Sequence, residues 1–142
     1  MEQNLTFSDL GLSTEILQAL EKKGYGYPTK IQQEAIPPLM EWKDVIAKAP
    51  TGTGKTFAFG IPIIEHIDPE SEEVQAVIMA PTRELAMQIT AELRDLAVFM
   101  SGIRVVCLYG GAPIGKQIDA LKKKPQIVVA TPGRLSDHMK RR

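Results

Sequence analysis

The sequence predicts a doubly wound α/β fold, a parallel sheet with helices on both faces, from three observations. Four short apolar, β-branched runs each stop at a proline or glycine turn. Their starts, at Val45, Ala76, Val105 and Ile127, lie 31, 29 and 22 residues apart, room for a crossover helix between each pair. The stretches between them carry apolar residues at helical spacing, and no hairpin signal joins one run to the next.

Taken in order, Ser13 to Lys23 reads as a helix with Ile16, Leu17 and Leu20 on its apolar face and Ser13 or Thr14 as N-cap. A second helix is expected from Thr29 to Met40. The first strand is Val45–Ala49. After it, Phe57, Ile61, Ile64 and Ile67 mark a helix in which Pro62 predicts a kink or a broken turn. Ala76–Ala80 is the second strand. Leu85, Ile89, Leu93, Leu96 and Met100 then form a stripe on one helix face. Val105–Tyr109 and Ile127–Ala130 complete the set. All four strands are expected to be covered on both faces, because they are continuous in apolar residues.

Composition narrows the function classes. With 142 residues, 44% hydrophobic and 24% charged, the chain suits one globular domain and not a disordered segment. One cysteine, Cys107, excludes an internal disulfide and points to a reducing cytoplasm; with two histidines it cannot furnish a four-ligand Cys/His zinc site. No run of about 18 apolar residues predicts a membrane span, and the N-terminus resembles neither a signal nor a transit peptide. Net charge is zero, yet residues 1–71 hold 6 basic and 10 acidic side chains while residues 72–142 hold 11 and 7. Such a split marks either a one-sided polyanion contact or nothing. Lys122-Lys123-Lys124 reads as a solvated helix end, His66 and His138 as surface or helix-terminal residues, Cys107 as core, and Trp42 as packing.

In sheets of this class, ligands sit beyond the carboxyl ends of the strands. There the first run enters Ala49-Pro50-Thr51-Gly52-Thr53-Gly54-Lys55-Thr56 and then a helix. Gly52 and Gly54 let backbone N–H groups turn inward on a phosphate chain, and the helix start adds the positive end of its dipole. Lys55 is placed to reach the β and γ phosphates, and the Thr56 hydroxyl to bind Mg²⁺. This predicts a nucleoside-triphosphate site. Three later strand ends carry Pro81-Thr82-Arg83-Glu84-Leu85-Ala86, Gly110-Gly111 and Thr131-Pro132-Gly133-Arg134. Helix starts, glycine turns, hydroxyls and arginines bind phosphate oxygens without reading bases. Arg83 and Arg134 have the alternative of structural ion pairing.

With Ala in place of Gly at its first position, the loop resembles that of the DEAD-box ATP-dependent RNA helicases. The likeness extends over essentially the whole sequence. Gly24-Tyr25-Gly26-Tyr27-Pro28-Thr29-Lys30-Ile31-Gln32, with Phe7 placed 17 residues before Gly24, is similar to the family's adenine-recognition element. An amide such as Gln32 can donate to and accept from an adenine edge. The resemblance implies that Phe7 and Gln32 touch the base and, less firmly, Tyr25. Alternatively Phe7 and Tyr25 are core anchors and Gln32 an exposed helix residue. It implies too that Pro81, Thr82, Arg83, Gly110, Gly111, Thr131, Pro132, Gly133 and Arg134 line the RNA backbone.

The same resemblance implies a partial N-terminal RecA-like domain, with an adenine-recognition region at 1–40 and a P-loop core at 44–142. No strand here ends in Asp or Glu, so the chain is expected to stop before the family's acidic block, and to be inactive alone. A second RecA-like domain of the same protein is the implied partner, with ATP, Mg²⁺ and RNA as ligands and no membrane. Exposed sheet edges and association are expected. Two other readings stand beside this: a non-catalytic RNA- or partner-binding module on a P-loop scaffold, and a P-loop ATPase acting on DNA or small molecules.

Overall fold

The computed structural model describes residues 5–49 and 54–140. Two compact units emerge, one of Met1–His66 with Asp95–Met100 and one of Ile67–Arg94 with Ser101–Arg142.

The first unit is helical. A short 3-10 turn at Phe7–Leu10 packs on α2 (Lys30–Met40) and buries Phe7. α1 (Thr14–Lys22) starts at Ser13, whose hydroxyl accepts from the Ile16 N–H at 3.3 Å, so Ser13 and not Thr14 is the cap. The Ser13 N–H donates to Glu65 of α3 (Lys55–His66) at 2.7 Å. Gly24, at φ +82°, closes α1: its N–H donates to Glu21 and that of Tyr25 to Leu20. α2 begins with a reciprocal cap in which the Thr29 hydroxyl accepts from the Gln32 N–H and the Gln32 side chain accepts from the Thr29 N–H. Ile31 and Ala35 of α2 pack with Ala58 of α3, joined by Leu39 and Ala49.

Three expectations meet departures in this unit. Of the kink or broken turn expected at Pro62, no broken turn forms: α3 continues through it, because one missing N–H is tolerated in a helix whose Ile61, Pro62 and Ile64 are all buried. Val45–Ala49 is not a strand, and Ile46 is 99% exposed. β-branched residues supply propensity, but a strand exists only when its N–H and C=O groups find a ladder partner. None pairs with this run among the described residues. Trp42 also departs from packing: at φ +65° it is 76% exposed, with its ring 4.0 Å from that of His66.

The second unit holds a three-stranded, wholly parallel sheet in the order β1 (Ala76–Met79), β3 (Ile127–Ala130), β2 (Val105–Leu108). β1 returns to β2 through α4 (Arg83–Leu96), and β2 to β3 through α5 (Ile114–Leu121); α6 (Pro132–Lys140) follows β3. β3 lies between the others and is buried at every position. Val106, Leu108, Val128 and Ala130 form one face, covered by Ala120 and Leu121 of α5 and Leu135 of α6. That cover does not reach β1, whose Val77 and Met79 are exposed, so the expectation of strands buried on both faces fails at this edge. The α4 stripe is buried at Ala86, Ile89, Leu93 and Leu96, but Leu85 faces outward and Met100 lies past the helix end.

Gln126, fully buried just before β3, binds the loops beneath the sheet. It accepts from the Arg104 N–H at 2.8 Å and donates to the carbonyls of Gly102, Pro69 and Ser71. His138, expected as a surface or helix-terminal residue, does lie in the last turn of α6, but it is buried, its ring 3.0 Å from the Gln117 side-chain oxygen. Cys107 is half-buried, and Lys122, Lys123 and Lys124 are exposed as expected.

Candidate functional site

The phosphate-loop residues fall in the first unit. Pro50, Thr51, Gly52 and Thr53 lie outside the described residues. Among the described residues, Ala47, Lys48, Ala49 and Lys55 line an open cleft of about 440 Å³. Lys55 is exposed at the first position of α3 and makes no ion pair among the described residues, so its ammonium is available to an anion. Lys48 adds a second positive charge to the same cleft. Thr56 is half-buried one residue into the helix. Among the described residues, no group of three or more His, Cys, Asp or Glu gathers to hold a metal ion.

Gly54 stands at φ +85°, and a Cβ there would collide with the Gln32 Nε2. Gln32 is buried, not an exposed helix residue. Its oxygen accepts from the Thr29 N–H at 2.9 Å and its nitrogen donates to the Gly54 carbonyl at 3.2 Å. Both ends of the amide are thus engaged, which ties Gln32 to Gly54, the residue just before α3. Phe7 is 3% exposed, which makes it a core anchor in this structure. Tyr25, half exposed, sets its ring edge-on to Phe57 at 5.5 Å.

The other three blocks gather in the second unit for a topological reason. Because β1, β3 and β2 run parallel, Met79, Ala130 and Leu108 lie in register, and all three strands end on one edge. Pro81 and Thr82 are exposed there, and the Thr82 hydroxyl accepts from the Leu85 N–H at 3.2 Å to start α4. Gly110 and Gly111 are exposed in the turn after β2, with Gly111 at φ +87°. The Thr131 N–H donates to Leu108, and Pro132 and Gly133 open α6 on the exposed side.

The two arginines part company. Arg83 is exposed, with its guanidinium 5.2 Å from the centre of the Tyr109 ring and no carboxylate partner among the described residues. Arg134 is largely withdrawn, donating to the Ala112 carbonyl at 3.2 Å and to Gln117 at 3.3 Å, with Asp137 3.9 Å away. Arg134 therefore takes the structural alternative in this geometry. Sequence reasoning missed Gln117, which also donates to the Tyr109 carbonyl at 2.9 Å. A polar residue at the buried position of an amphipathic helix was the only signal available.

A parallel α/β unit with glycines, hydroxyls and an uncommitted arginine along one strand edge defines a RecA-like protein, and solved structures agree. A DEAD box protein from the hyperthermophile Methanococcus jannaschii superposes with a TM-score of 0.89 at 42% identity, covering 96% of this chain and 37% of that one. A hypothetical ATP-dependent RNA helicase from Sulfolobus tokodaii gives 0.81 at 36%, covering 92% and 37%. The DEAD/DEAH box helicase family model matches residues 29–142, and the chain belongs to that family. Among curated relatives, the ATP-dependent RNA helicase CshA of Limosilactobacillus reuteri is 53% identical over 96% of this chain and 27% of its own length. The ATP-dependent RNA helicase DeaD of Escherichia coli (strain K12) is 49% identical over 99% and 22%. The chain spans about a quarter of the length of these relatives, which runs from 22% to 27%.

Proposed function

We propose that this chain is the ATP-binding part of an ATP-dependent RNA helicase, which unwinds or remodels RNA duplexes by ATP-driven closure of two domains. What carries the reading is identity of about half over nearly the whole chain to proteins named ATP-dependent RNA helicases. Residues 1–142 then form part of an N-terminal RecA-like domain, with 1–40 serving adenine recognition and 44–142 the P-loop core. A second RecA-like domain supplies the other half of the ATP and RNA sites, and the protein works in the cytoplasm. Among the described residues no helix is long and apolar enough to cross a membrane.

The cleft residues fit a polyphosphate. Lys48 and Lys55 oppose its negative charge, and the bare Cα of Gly54 lets main chain approach closely. Ala49, Pro50, Thr51, Gly52 and Thr53 complete the loop in this reading. Thr56 offers one hydroxyl to Mg²⁺, which enters with the triphosphate. ATP supplies the free energy of closure, and this chain's residues hold and orient it. Gln32 exchanges its internal hydrogen bonds for the adenine edge, with Phe7 and Tyr25 bracing the element. Pro81, Thr82, Arg83, Gly110, Gly111, Thr131, Pro132 and Gly133 form the edge on which an RNA backbone lies, with Arg134 bracing that edge through the Ala112 carbonyl. A non-catalytic binding module is not favoured, because it leaves the exposed Lys55 without a task.

The test is Lys55→Ala. Loss of a charge-assisted bond worth about 1.5–3 kcal/mol predicts nucleotide affinity falling about 10- to 100-fold, read with a fluorescent ATP analogue. RNA-stimulated hydrolysis by the full-length protein should be abolished, and RNA should stimulate more strongly than DNA. Hydrolysis untouched by the substitution would remove the enzymatic role of Lys55.

A further inference from the structure

We infer that Tyr109 is a positioning residue for the nucleic-acid edge: its ring holds the Arg83 guanidinium ready for a backbone phosphate, above the turn at Gly111. The inference rests on the RNA reading proposed above.

Three observations meet at this point. Arg83 opens α4 just after β1, and its guanidinium carbon stands 5.2 Å from the Tyr109 ring centre. Gly111 lies beside it: a Cβ there would stand 3.4 Å from the Arg83 Nη1, on a backbone at φ +87° that disfavours any side chain. The main chain of Tyr109 is held, because its carbonyl accepts from Gln117 at 2.9 Å, and Gln117 is buried. The Gln117 oxygen lies within hydrogen-bonding distance of both Arg134 and His138, so the brace is anchored in α6.

The choice of an aromatic partner has a chemical consequence. A carboxylate would occupy the N–H edge of a guanidinium and cancel its charge. An aromatic ring takes only the planar face, which leaves the donors and the positive charge directed outward. Arg83 makes no hydrogen bond or ion pair among the described residues, so that edge is uncommitted. A flexible arginine loses rotamer freedom on binding; one already seated on a ring loses less.

The experiment measures fluorescence anisotropy of a labelled single-stranded oligouridine with the full-length wild-type protein and with its Tyr109→Phe, Tyr109→Leu, Tyr109→Met, Arg83→Ala and Arg83→Ala/Tyr109→Leu variants. Circular dichroism and thermal melting confirm folding of each. Tyr109→Phe should bind within about twofold of wild type, and Tyr109→Leu and Tyr109→Met about two- to fivefold more weakly, the range of an exposed cation–π contact. Arg83→Ala should lose at least as much, and Tyr109→Leu should add nothing to it. The Arg83 Nε–H resonance should show a ring-current displacement that persists in Tyr109→Phe and vanishes in Tyr109→Leu. Weak binding by Arg83→Ala beside wild-type binding by Tyr109→Leu overturns the role of Tyr109 and leaves the RNA reading standing. Additive losses in the double variant, or a Phe variant as weak as the Leu one, overturn it also. A full-length wild-type protein that binds no oligouridine removes the RNA reading, and this inference with it.

Discussion

Gln126 shows how much one side chain can hold when its amide is fully used. Replacing it with Ala leaves the Arg104 N–H and the carbonyls of Pro69 and Ser71 without this partner, and the Gly102 carbonyl with only the Arg104 guanidinium. A loss of about 2–4 kcal/mol is expected, measured by urea denaturation. Gly54 is constrained from the other side. Gly54→Ala must place a methyl against the Gln32 amide at φ +85°, and should cost about 1–2 kcal/mol while weakening nucleotide binding. Glu72 is a surface case. A hydrogen bond from Lys124 at 2.9 Å, with the attraction of the same ammonium and of Arg104, holds its carboxyl below the ordinary value of 4.5. A lowered folded value means the contribution is present above the ordinary carboxylate range and is lost as pH falls through the folded value. The melting-temperature difference between wild type and Glu72→Gln should therefore be small and positive at pH 7, and should vanish below that value. None of these three roles was readable beforehand, since each depends on which backbone groups lie opposite the side chain.

At the scale of elements, caps were legible and partners were not. Ser13 stands where a hydroxyl followed by helical periodicity places an N-cap and accepts the expected N–H, and Thr29, expected only as the start of the second helix, caps it in the same way. Thr29→Ala should lower stability by about 1 kcal/mol in thermal denaturation, and more if Gln32 loses its alignment on Gly54. Three of the four apolar runs became strands with nearly the expected limits. The fourth, Val45–Ala49, has the same kind of residues and no ladder. Periodicity reports what a segment prefers, whereas pairing requires a neighbour at about 4.8 Å. The same limit explains Leu85 and Pro62: a stripe marks an apolar face without saying where the neighbouring element ends, and a proline marks a lost bond without saying whether packing compensates.

For the molecule as a whole, the consequence is exposed apolar surface. Ile46, Val77 and Met79 are open to water, and β1 forms a sheet edge. Concentration-dependent association is expected by light scattering, and the pair Val77→Thr with Met79→Lys should reduce it without lowering the melting temperature by more than a few degrees. The charge division has a counterpart at this scale. Residues 72–142, with 11 basic and 7 acidic side chains, contain the whole parallel sheet and every strand end proposed for RNA.

Sequence by itself determined the α/β class, three of the strands, the four helices from α1 to α4, the family, and the positions of the strand-end blocks. These follow from local patterns: apolar period, turn residues and the spacing of chemically apt side chains. Tertiary structure alone decided that Gln32 is buried and bound to Gly54, that Arg134 is committed to backbone while Arg83 rests on Tyr109, and that the first run finds no strand partner. The reason is physical. Each of those outcomes is a competition for hydrogen-bonding partners among groups 20 or more residues apart, as in the 22 residues between Gln32 and Gly54, and local pattern carries no information about who wins it.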